Sequence, residues 1–225
     1  MRENERLAAV GRMAAGVAHE VRNPLSSIKG LALLLKGKFS RESREFETTG
    51  LLIQEVERMN RTISELLSFA RPASLDLQQV DVQELLSETL ELVAADMASE
   101  HIHTSLHCER NLPPVSADRD RLSQVFINIM LNGVQAMEHG GTLEITARKS
   151  GSGKRIKLQF RDSGKGIQPE QLSQVFFPYF TTKKEGTGIG LAISQKIIVD
   201  HGGSIRVESE PGRGTTVFVD LPVDN

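Results

Sequence analysis

The sequence predicts two parts, a hairpin of two long α-helices followed by a mixed α/β domain. Along the first 70 residues, apolar or small side chains recur at alternating steps of three and four. The remainder combines short alternating segments with glycine-rich turns. Tryptophan is absent and aromatic residues make up only 4% of the 225 residues, a composition that favours helices with aliphatic seams. We place the boundary at Arg71-Pro72, giving domains of residues 1–72 and 73–225.

The helical part is predicted to form a hairpin and then a dimer. The first seam is interrupted near Pro24, where we expect a kink, and the second follows a polar loop from Gly37 to Arg44. The two seams are Leu7, Val10, Ala14, Val17, Val21, Leu25, Ile28, Leu31 and Leu35, and then Leu52, Val56, Met59, Ile63, Leu66 and Ala70. A lone hairpin cannot bury both seams, so we expect a homodimer in which two hairpins form a four-helix bundle.

The second part reads as helices and strands in alternation, following a short extended segment from Leu75 to Val80. Asp81 is the expected N-cap of a helix, and a second helix follows a first strand. The predicted helices are Val82 to Ala98 and Asp118 to Met137, and the predicted strands are His101 to Cys108, Gly141 to Arg148, Arg155 to Arg161, Ser204 to Ser209 and Thr215 to Leu221. Their alternation suits one sheet with helices on one face.

Composition excludes several classes of function. A formal net charge of −2 provides no general basic surface for nucleic acid, so we expect no nucleic-acid partner. The single cysteine, Cys108, cannot form an internal disulfide and fits a reducing compartment. No stretch approaches the about 20 apolar residues that cross a bilayer, and the start does not resemble a signal peptide. If the natural protein senses across a membrane, that region lies outside this sequence.

His19 is the first candidate catalytic residue. It lies between the seam positions Val17 and Val21, so we expect it to point away from the helix contact. Most histidines in such a place are solvated surface residues. Here, however, Glu20 can accept a hydrogen bond from one ring nitrogen and make the other more nucleophilic, and Asn23 lies one turn further on the same face. Both interpretations remain open from these residues alone.

Polar residues in the second part suggest a nucleotide site. Asn128 and Asn132 share one face of a largely apolar helix, which implies either a structural network or a ligand such as magnesium. Asp162 ends a strand and precedes glycines, so it could reach a ligand or simply lie in a surface turn. The segment from Gly186 to Leu191 offers bare backbone amides leading into a helix, where phosphate binds well. With His19, these features suggest phosphoryl transfer from a nucleotide to histidine.

Three histidines on one face of the first strand raise a second possibility. His101, His103 and His107 alternate with apolar residues, and imidazoles two residues apart can share a zinc ion. No carboxylate or thiolate lies on that face nearby, and Cys108 points the other way. We favour a solvated strand face over a metal site.

Taken together, the motifs resemble the sensor histidine kinases of bacterial two-component systems, over essentially the whole chain. Five motifs occur in that family's order. They are residues 19–24 (HEVRNP), resembling the H box; Asn128 to Asn132, the N box; residues 162–166 (DSGKG), the first glycine box; residues 176–180 (FFPYF), the F box; and Gly186 to Gly190, the second glycine box. The resemblance implies a dimerisation and histidine-phosphotransfer domain, followed by a Bergerat-type α/β sandwich that binds ATP.

The resemblance also implies a role for each candidate. His19, with Glu20, would accept the phosphoryl group from ATP and hand it to an aspartate on the receiver domain of a response regulator, and Asn23 would position water when the regulator is dephosphorylated. Asp162 would bind the adenine amino group, and Asn132, helped by Asn128, would hold Mg²⁺. The backbone of the second glycine box would approach the phosphates at Gly186, Gly188 and Gly190, with Lys183 or Lys184 adding positive charge. Gly164 and Gly166 of the first glycine box would also belong to the nucleotide site. Phe176 and Phe180 are expected to anchor the lid. Gly133 departs from the pattern, because alanine is commoner after the second asparagine.

At finer grain, residues 14–31 and 178–183 look like the zinc-responsive envelope-stress kinases and their nitrogen-regulation relatives, which usually serve activators of sigma-54 promoters. This implies the cytoplasmic part of an inner-membrane sensor.

Two alternatives stay open. A Bergerat ATPase would hydrolyse ATP without phosphorylating histidine, although such enzymes carry a glutamate at the position of Asn128. A scaffold would only dimerise and bind a regulator. We also expect a mobile lid at Lys183 to Thr187 and a hinge near Arg71-Pro72.

Overall fold

The computed structural model describes residues 23–70, 75–183 and 186–223, with the backbone alone for residues 58 and 61–70. The chain divides into two compact units, Met1–Ala73 and Ser74–Asn225. The predicted kink at Pro24 depends on residues before it, and the predicted hinge at Arg71-Pro72 falls in the gap, so both lie outside the described residues. Among the described helices, none is long and apolar enough to span a bilayer.

The first unit contains a helical hairpin, as predicted. Helix α1 is described over residues 23–36, and α2 spans Arg44–Ala70. The Ser43 hydroxyl accepts a hydrogen bond from the Phe46 N–H at 3.2 Å, which satisfies one free donor at the start of α2. Leu25, Ala32 and Val56 are buried in this unit. The Lys29 ammonium lies 2.7 Å from the Glu57 carboxylate and joins the two helices at their surface.

Much of the predicted seam is exposed in a single hairpin. Leu31 is 62% exposed and Leu52 is 44% exposed, and other seam residues behave in the same way. These are Ile28, Leu35 and Met59. Contiguous exposed apolar surface on a soluble domain is typical of an interaction site. The hairpin therefore leaves an apolar surface that its own two helices do not cover.

The second unit is an α/β sandwich. Its elements are β1 (Gln78–Val80), α3 (Val82–Ser99), β2 (Ile102–Cys108), β3 (Val115–Ala117), α4 (Arg119–Ala136), β4 (Gly141–Lys149), β5 (Arg155–Asp162), α5 (Pro169–Leu172), α6 (Gly190–Asp200), β6 (Ser204–Glu210) and β7 (Gly214–Pro222). The main sheet has the order β2-β4-β5-β7-β6, with β2 parallel to β4 and the other pairs antiparallel. A separate pair is formed by β1 and β3.

One face of the main sheet carries the core, as the alternation predicted. Along β5, Ile156, Leu158 and Phe160 are buried while Lys157 and Arg161 are exposed. The core face packs against α3, α4 and α6, with α4 in the middle. The rings of Phe126 on α4 and Phe160 lie 5.7 Å apart between centroids. This packing places the polar face of α4 beside the end of β5 and the start of α6.

The predicted elements of the second unit are confirmed, and two short ones are additional. Asp81 caps α3 by accepting the N–H groups of Gln83 and Glu84 at 2.8 and 3.1 Å, and Asp118 caps α4. Strand β3 and helix α5 were not predicted, since three- and four-residue segments carry no measurable periodicity.

Candidate nucleotide site

The candidate site residues fall in both units. His19 and Glu20 lie outside the described residues, as does Lys184. Asn23 is exposed at the beginning of the described part of α1. The remaining candidates lie in the α/β unit, on α4, at the end of β5 and in the segment leading into α6. Hydrogen bonds and close contacts bring most of them into a single cluster.

Asp162 is the buried carboxylate of this cluster. It is the last residue of β5 and only 6% exposed. Its Oδ1 accepts the backbone N–H of Gly164 at 2.9 Å and that of Thr215 at 3.1 Å. Burial raises the pKa of the Asp162 carboxyl above its ordinary value, while these two N–H groups and the Lys183 ammonium oppose that rise. The two hydrogen bonds to Oδ1 thus fix the orientation of the carboxylate.

Gly133 provides space next to Asp162. A Cβ on Gly133 would lie 3.3 Å from Cβ of Asp162 and 3.7 Å from its Oδ2. The 3.3 Å contact is tight, so an alanine there would press on the aspartate unless the aspartate shifts by a few tenths of an ångström, whereas 3.7 Å is an ordinary contact. The glycine that departs from the family pattern therefore borders the carboxylate of the site.

The first glycine box forms a turn that needs glycine. A Cβ on Gly164 would lie 2.6 Å from the carbonyl oxygen of Ala136, at the end of α4. Gly166 has a φ of +68° and packs against the backbone of Glu210. The backbone N–H of Lys165 donates to the same Ala136 oxygen at 3.1 Å. This turn joins the end of β5 to the end of α4.

The two asparagines form a hydrogen-bonded chain with α6. The Nδ2 of Asn128 donates to the Ser194 hydroxyl at 2.8 Å, and the Nδ2 of Asn132 lies 3.5 Å from Oδ1 of Asn128. Gly190 begins α6 directly against Asn128, where a Cβ would lie 2.4 Å from Oδ1. The chain accounts for the polar face of α4 and orients the Asn132 side chain, so structural pairing and ligand binding are compatible here.

Lys183 brings a positive charge into the cluster. Its Nζ donates to Oδ1 of Asn132 at 2.7 Å and to Oε1 of Gln135 at 2.6 Å. Burial, together with the nearby charge of Lys165, lowers the pKa of Lys183 to about 8, although the Asp162 carboxylate opposes the shift. A cation therefore already sits on the oxygen that was predicted to hold Mg²⁺.

The remaining lid residues make local contacts. Gly186 lies against the Thr181 hydroxyl, and Gly188, at a φ of +67°, lies against the backbone of Tyr179 and Phe180. Phe176 and Phe180 are half-buried, whereas Phe177 and Tyr179 are exposed by 61% and 65%. These close contacts within the protein explain why glycine occupies positions 186 and 188. The role of these glycines toward phosphate stays a prediction.

Three residues of the site were missed by sequence reasoning. Gln135 lies three residues after Asn132, so helical spacing could have placed both on one face. Ser194 lies four residues after Gly190, so helical spacing could have placed these two residues on one face of α6. Thr215 meets Asp162 only through the register of β5 with β7, for which the sequence carries no local signal.

The histidines of β2 show no metal-binding arrangement. His103 and His107 are exposed, and His101 precedes the strand with a φ of +54°. Within the described ranges, no group of three or more His, Cys, Asp and Glu side chains could hold a metal ion. Cys108 is half-buried, and burial raises the pKa of its thiol.

Comparison with known families agrees with this geometry. Residues 9–75 match the His Kinase A (phospho-acceptor) domain, and residues 117–225 match the family of histidine kinase-, DNA gyrase B- and HSP90-like ATPases. The chain belongs to the histidine kinase family. The phospho-acceptor domain corresponds to the helical hairpin, and the ATPase domain corresponds to the α/β sandwich. The predicted fold class of each unit is therefore confirmed.

Individual histidine kinases extend the match. The sensor histidine kinase ZraS of Escherichia coli (strain K12) is 45% identical over 224 residues, covering 100% of this chain and 48% of ZraS. Full-length ShkA in complex with AMPPNP matches 95% of this chain and 46% of its own, with a TM-score of 0.82 and 26% identity. The histidine kinase ThkA in complex with the response regulator TrrA matches 98% of this chain and 64% of its own, with a TM-score of 0.73 and 28% identity. The chain spans about half the length of the curated relatives it matches.

Proposed function

We propose that this chain is the catalytic part of a sensor histidine kinase. Residues 73–225 bind ATP with Mg²⁺, and the terminal phosphoryl group passes to His19 in residues 1–72. The phosphoryl group then moves to an aspartate on the receiver domain of a response regulator. ShkA was solved with AMPPNP and ThkA with a response regulator, which supports both steps by similarity.

The observation that carries this proposal is the environment of Asp162. Its Oδ1 is held by two backbone N–H groups, so the orientation of the carboxylate is fixed before any ligand arrives. Oδ2 faces the space beside Gly133. A buried, oriented acceptor matches the exocyclic amino group of adenine and discriminates against bases that present a carbonyl there, because a buried acceptor facing an acceptor is costly.

The donor set at Asn132 fits Mg²⁺. A neutral amide oxygen is a hard ligand of the kind that Mg²⁺ takes alongside phosphate oxygens and water. The 2.7 Å contact from the Lys183 ammonium supports this assignment, because the oxygen already accepts a positively charged group. When bound, Mg²⁺ would neutralise negative charge on the phosphates. Asn128 and Ser194 hold Asn132 in place, while the second glycine box and Lys183 approach the phosphates.

Phosphoryl transfer uses His19 as nucleophile. A ring nitrogen of His19 attacks the γ-phosphorus of ATP, the bond from that phosphorus to the bridging oxygen breaks, and ADP leaves. Glu20 accepts the N–H of the other ring nitrogen and stabilises the positive charge that develops on the ring. The regulator's aspartate then attacks the same phosphorus and His19 leaves unmodified.

Further properties belong to the whole protein. We infer a homodimer through the exposed apolar surface of the hairpin, which includes Leu31 and Leu52. We also infer that Asn23 positions water when the regulator is dephosphorylated. From the resemblance of residues 14–31 and 178–183 to zinc-responsive envelope-stress kinases, we also infer that the chain is the cytoplasmic part of an inner-membrane sensor whose regulator activates sigma-54 promoters.

ATP hydrolysis without transfer is the second candidate. It requires a general base near the γ-phosphate, and the amide of Asn128 is a poor base that is already bonded to Ser194. The arrangement therefore favours transfer.

Incubation with γ-labelled ATP and Mg²⁺ tests the proposal. The purified chain should acquire acid-labile, alkali-stable label, and both His19→Gln and Asn132→Ala should lose it. Gln124→Ala, on the same helix as Asn132 but outside the cluster, is the matched control and should retain the label. Release of phosphate without labelled protein would favour the ATPase instead.

A further inference from the structure

Two amide oxygens on α4 share one cation. Lys183 Nζ donates to Oδ1 of Asn132 at 2.7 Å and to Oε1 of Gln135 at 2.6 Å. The two amides are three residues apart and so project from the same face of α4. The carboxylate of Asp162 adds attraction for positive charge from the end of β5. Gln135 has no role in the mechanism described so far.

The oxygens are held in place from the side of α6. Asn128 binds the Ser194 hydroxyl through its Nδ2, and its Oδ1 faces the Nδ2 of Asn132. This arrangement turns the NH₂ group of Asn132 toward Asn128 and its oxygen toward Lys183. The orientation of the Asn132 oxygen therefore comes from the surrounding structure and does not depend on Lys183 alone.

The position of Lys183 is also defined by its own segment. Its backbone N–H donates to the Thr181 hydroxyl at 3.1 Å, and its carbonyl oxygen accepts the Gly186 N–H at 3.4 Å. Gly186 packs so closely on Thr181 that a Cβ would lie 2.4 Å from the hydroxyl oxygen. These contacts with Thr181 and Gly186 fix the backbone of Lys183 where its ammonium reaches the two amides.

We propose that Asn132 Oδ1 and Gln135 Oε1 form one two-oxygen cation site, which Lys183 fills in this structure and which the divalent ion of the nucleotide complex takes over. Gln135 is then a ligand of the metal ion beside Asn132, and Lys183 is a latch, held on α4 by the two amide oxygens, that the metal ion releases. This inference rests on the proposed function, since it needs a nucleotide that carries a divalent ion.

Two neutral amide oxygens suit this exchange. Their oxygens carry no formal charge, so they hold neither an ammonium nor Mg²⁺ through an ion pair, and they leave the other positions around Mg²⁺ to water and phosphate. A carboxylate at residue 135 would hold Lys183 more tightly and hinder its release. Displacement frees the ammonium for the phosphates, so one event couples metal binding to the release of Lys183.

Hydrogen exchange of the nucleotide-free chain tests the latch. Lys183→Met and Gln135→Ala each remove one side of the contact and should make the backbone amides of Lys183 and Gly186 exchange about tenfold faster. The double variant should exchange no faster than either single variant, because both break the same contact. Gln124→Ala on α4 and Lys196→Met on α6 are the matched controls and should exchange like the wild type. Equal exchange in Gln135→Ala and the wild type would overturn the latch.

Titration with ADP tests the cation site without any phosphoryl transfer. The dissociation constant is measured with Mg²⁺ and with chelator, and the ratio reports how much the ion contributes. Gln135→Ala should reduce this ratio about tenfold, the scale of losing one group that orients a metal, while Gln124→Ala should not change it. A wild-type ratio in Gln135→Ala overturns the assignment of Gln135. A wild-type chain that binds no ADP under either condition overturns the proposed function instead, and the exchange result still decides the latch.

Discussion

Gly190 begins α6 at a distance from Asn128 that leaves no room for a side chain, since a Cβ would lie 2.4 Å from the Asn128 Oδ1 and 3.1 Å from its Cγ. The contact ties the second glycine box to the N box. It joins the beginning of α6 to Asn128, the amide that orients Asn132. The two motifs are 62 residues apart by number, 128 to 190, yet form one structural unit.

Gly190→Ala should therefore displace Asn128. We expect a loss of stability of about 1–3 kcal/mol from overpacking, and weaker binding of Mg²⁺ with ADP because Asn132 loses its support. Gly151→Ala, in a turn where a Cβ meets nothing within 4 Å, is the control. Urea unfolding and ADP titration measure the two effects. Wild-type affinity in Gly190→Ala would contradict the account of this contact.

Asp162→Asn should abolish tight adenine binding without unfolding the domain. The asparagine oxygen can still accept the N–H groups of Gly164 and Thr215, whereas its NH₂ group would face the amino group of adenine. We expect at least about tenfold weaker ADP binding, which corresponds to about 1.4 kcal/mol. Asp220→Asn, at a carboxylate that pairs with Arg155 on the sheet, should bind ADP normally. Equal affinity of both variants would remove Asp162 from the site.

His201→Ala should destabilise the α/β domain while sparing the site. His201 is 7% exposed, and its Nε2 accepts the N–H of Asp118 at 2.9 Å while its Nδ1 contacts the carbonyl oxygen of Ile197 at 2.7 Å. The imidazole thus joins the end of α6 to the cap of α4. Its loss leaves the half-buried N–H of Asp118 without this acceptor and opens a cavity, at a cost of about 2–4 kcal/mol.

Urea unfolding measures this cost, with His103→Ala as control. His103 is exposed on β2, so its removal should change stability by less than about 0.5 kcal/mol. Equal midpoints for the two variants would show that the buried imidazole is not a structural link.

Leu31→Glu combined with Leu52→Glu should dissociate the homodimer. Both side chains are exposed in a single hairpin and lie on the predicted seams, so in a four-helix bundle they would be buried and charge there would be strongly unfavourable. Leu92→Glu, at a residue 67% exposed in the other unit, is the control and should remain dimeric. Light scattering on an eluting column gives the mass of each. A dimeric Leu31→Glu, Leu52→Glu variant would place the interface elsewhere.

The fold was predictable because its elements carry local signals. Asp81 was recognised as a cap from its place before an apolar run, and the alternation along β5 gave the correct buried face. The site was harder, because its geometry depends on contacts between distant segments. Thr215 reaches Asp162 only through strand register. Gln135 is recognised as part of the site only through its hydrogen bond with Lys183. Helical spacing places Gln135 beside Asn132, but nothing local in the sequence pairs it with a lysine 48 residues away.

Mapping the phosphoryl group by mass spectrometry at neutral pH tests the central claim most directly. The chain is incubated with ATP and Mg²⁺, digested, and compared with His19→Gln and Asp162→Asn. The account predicts a phosphoryl group on His19 in the wild type and none on the chain in either variant. Phosphate released from ATP with His19 unmodified, or a phosphoryl group on another residue that persists in His19→Gln, would contradict it.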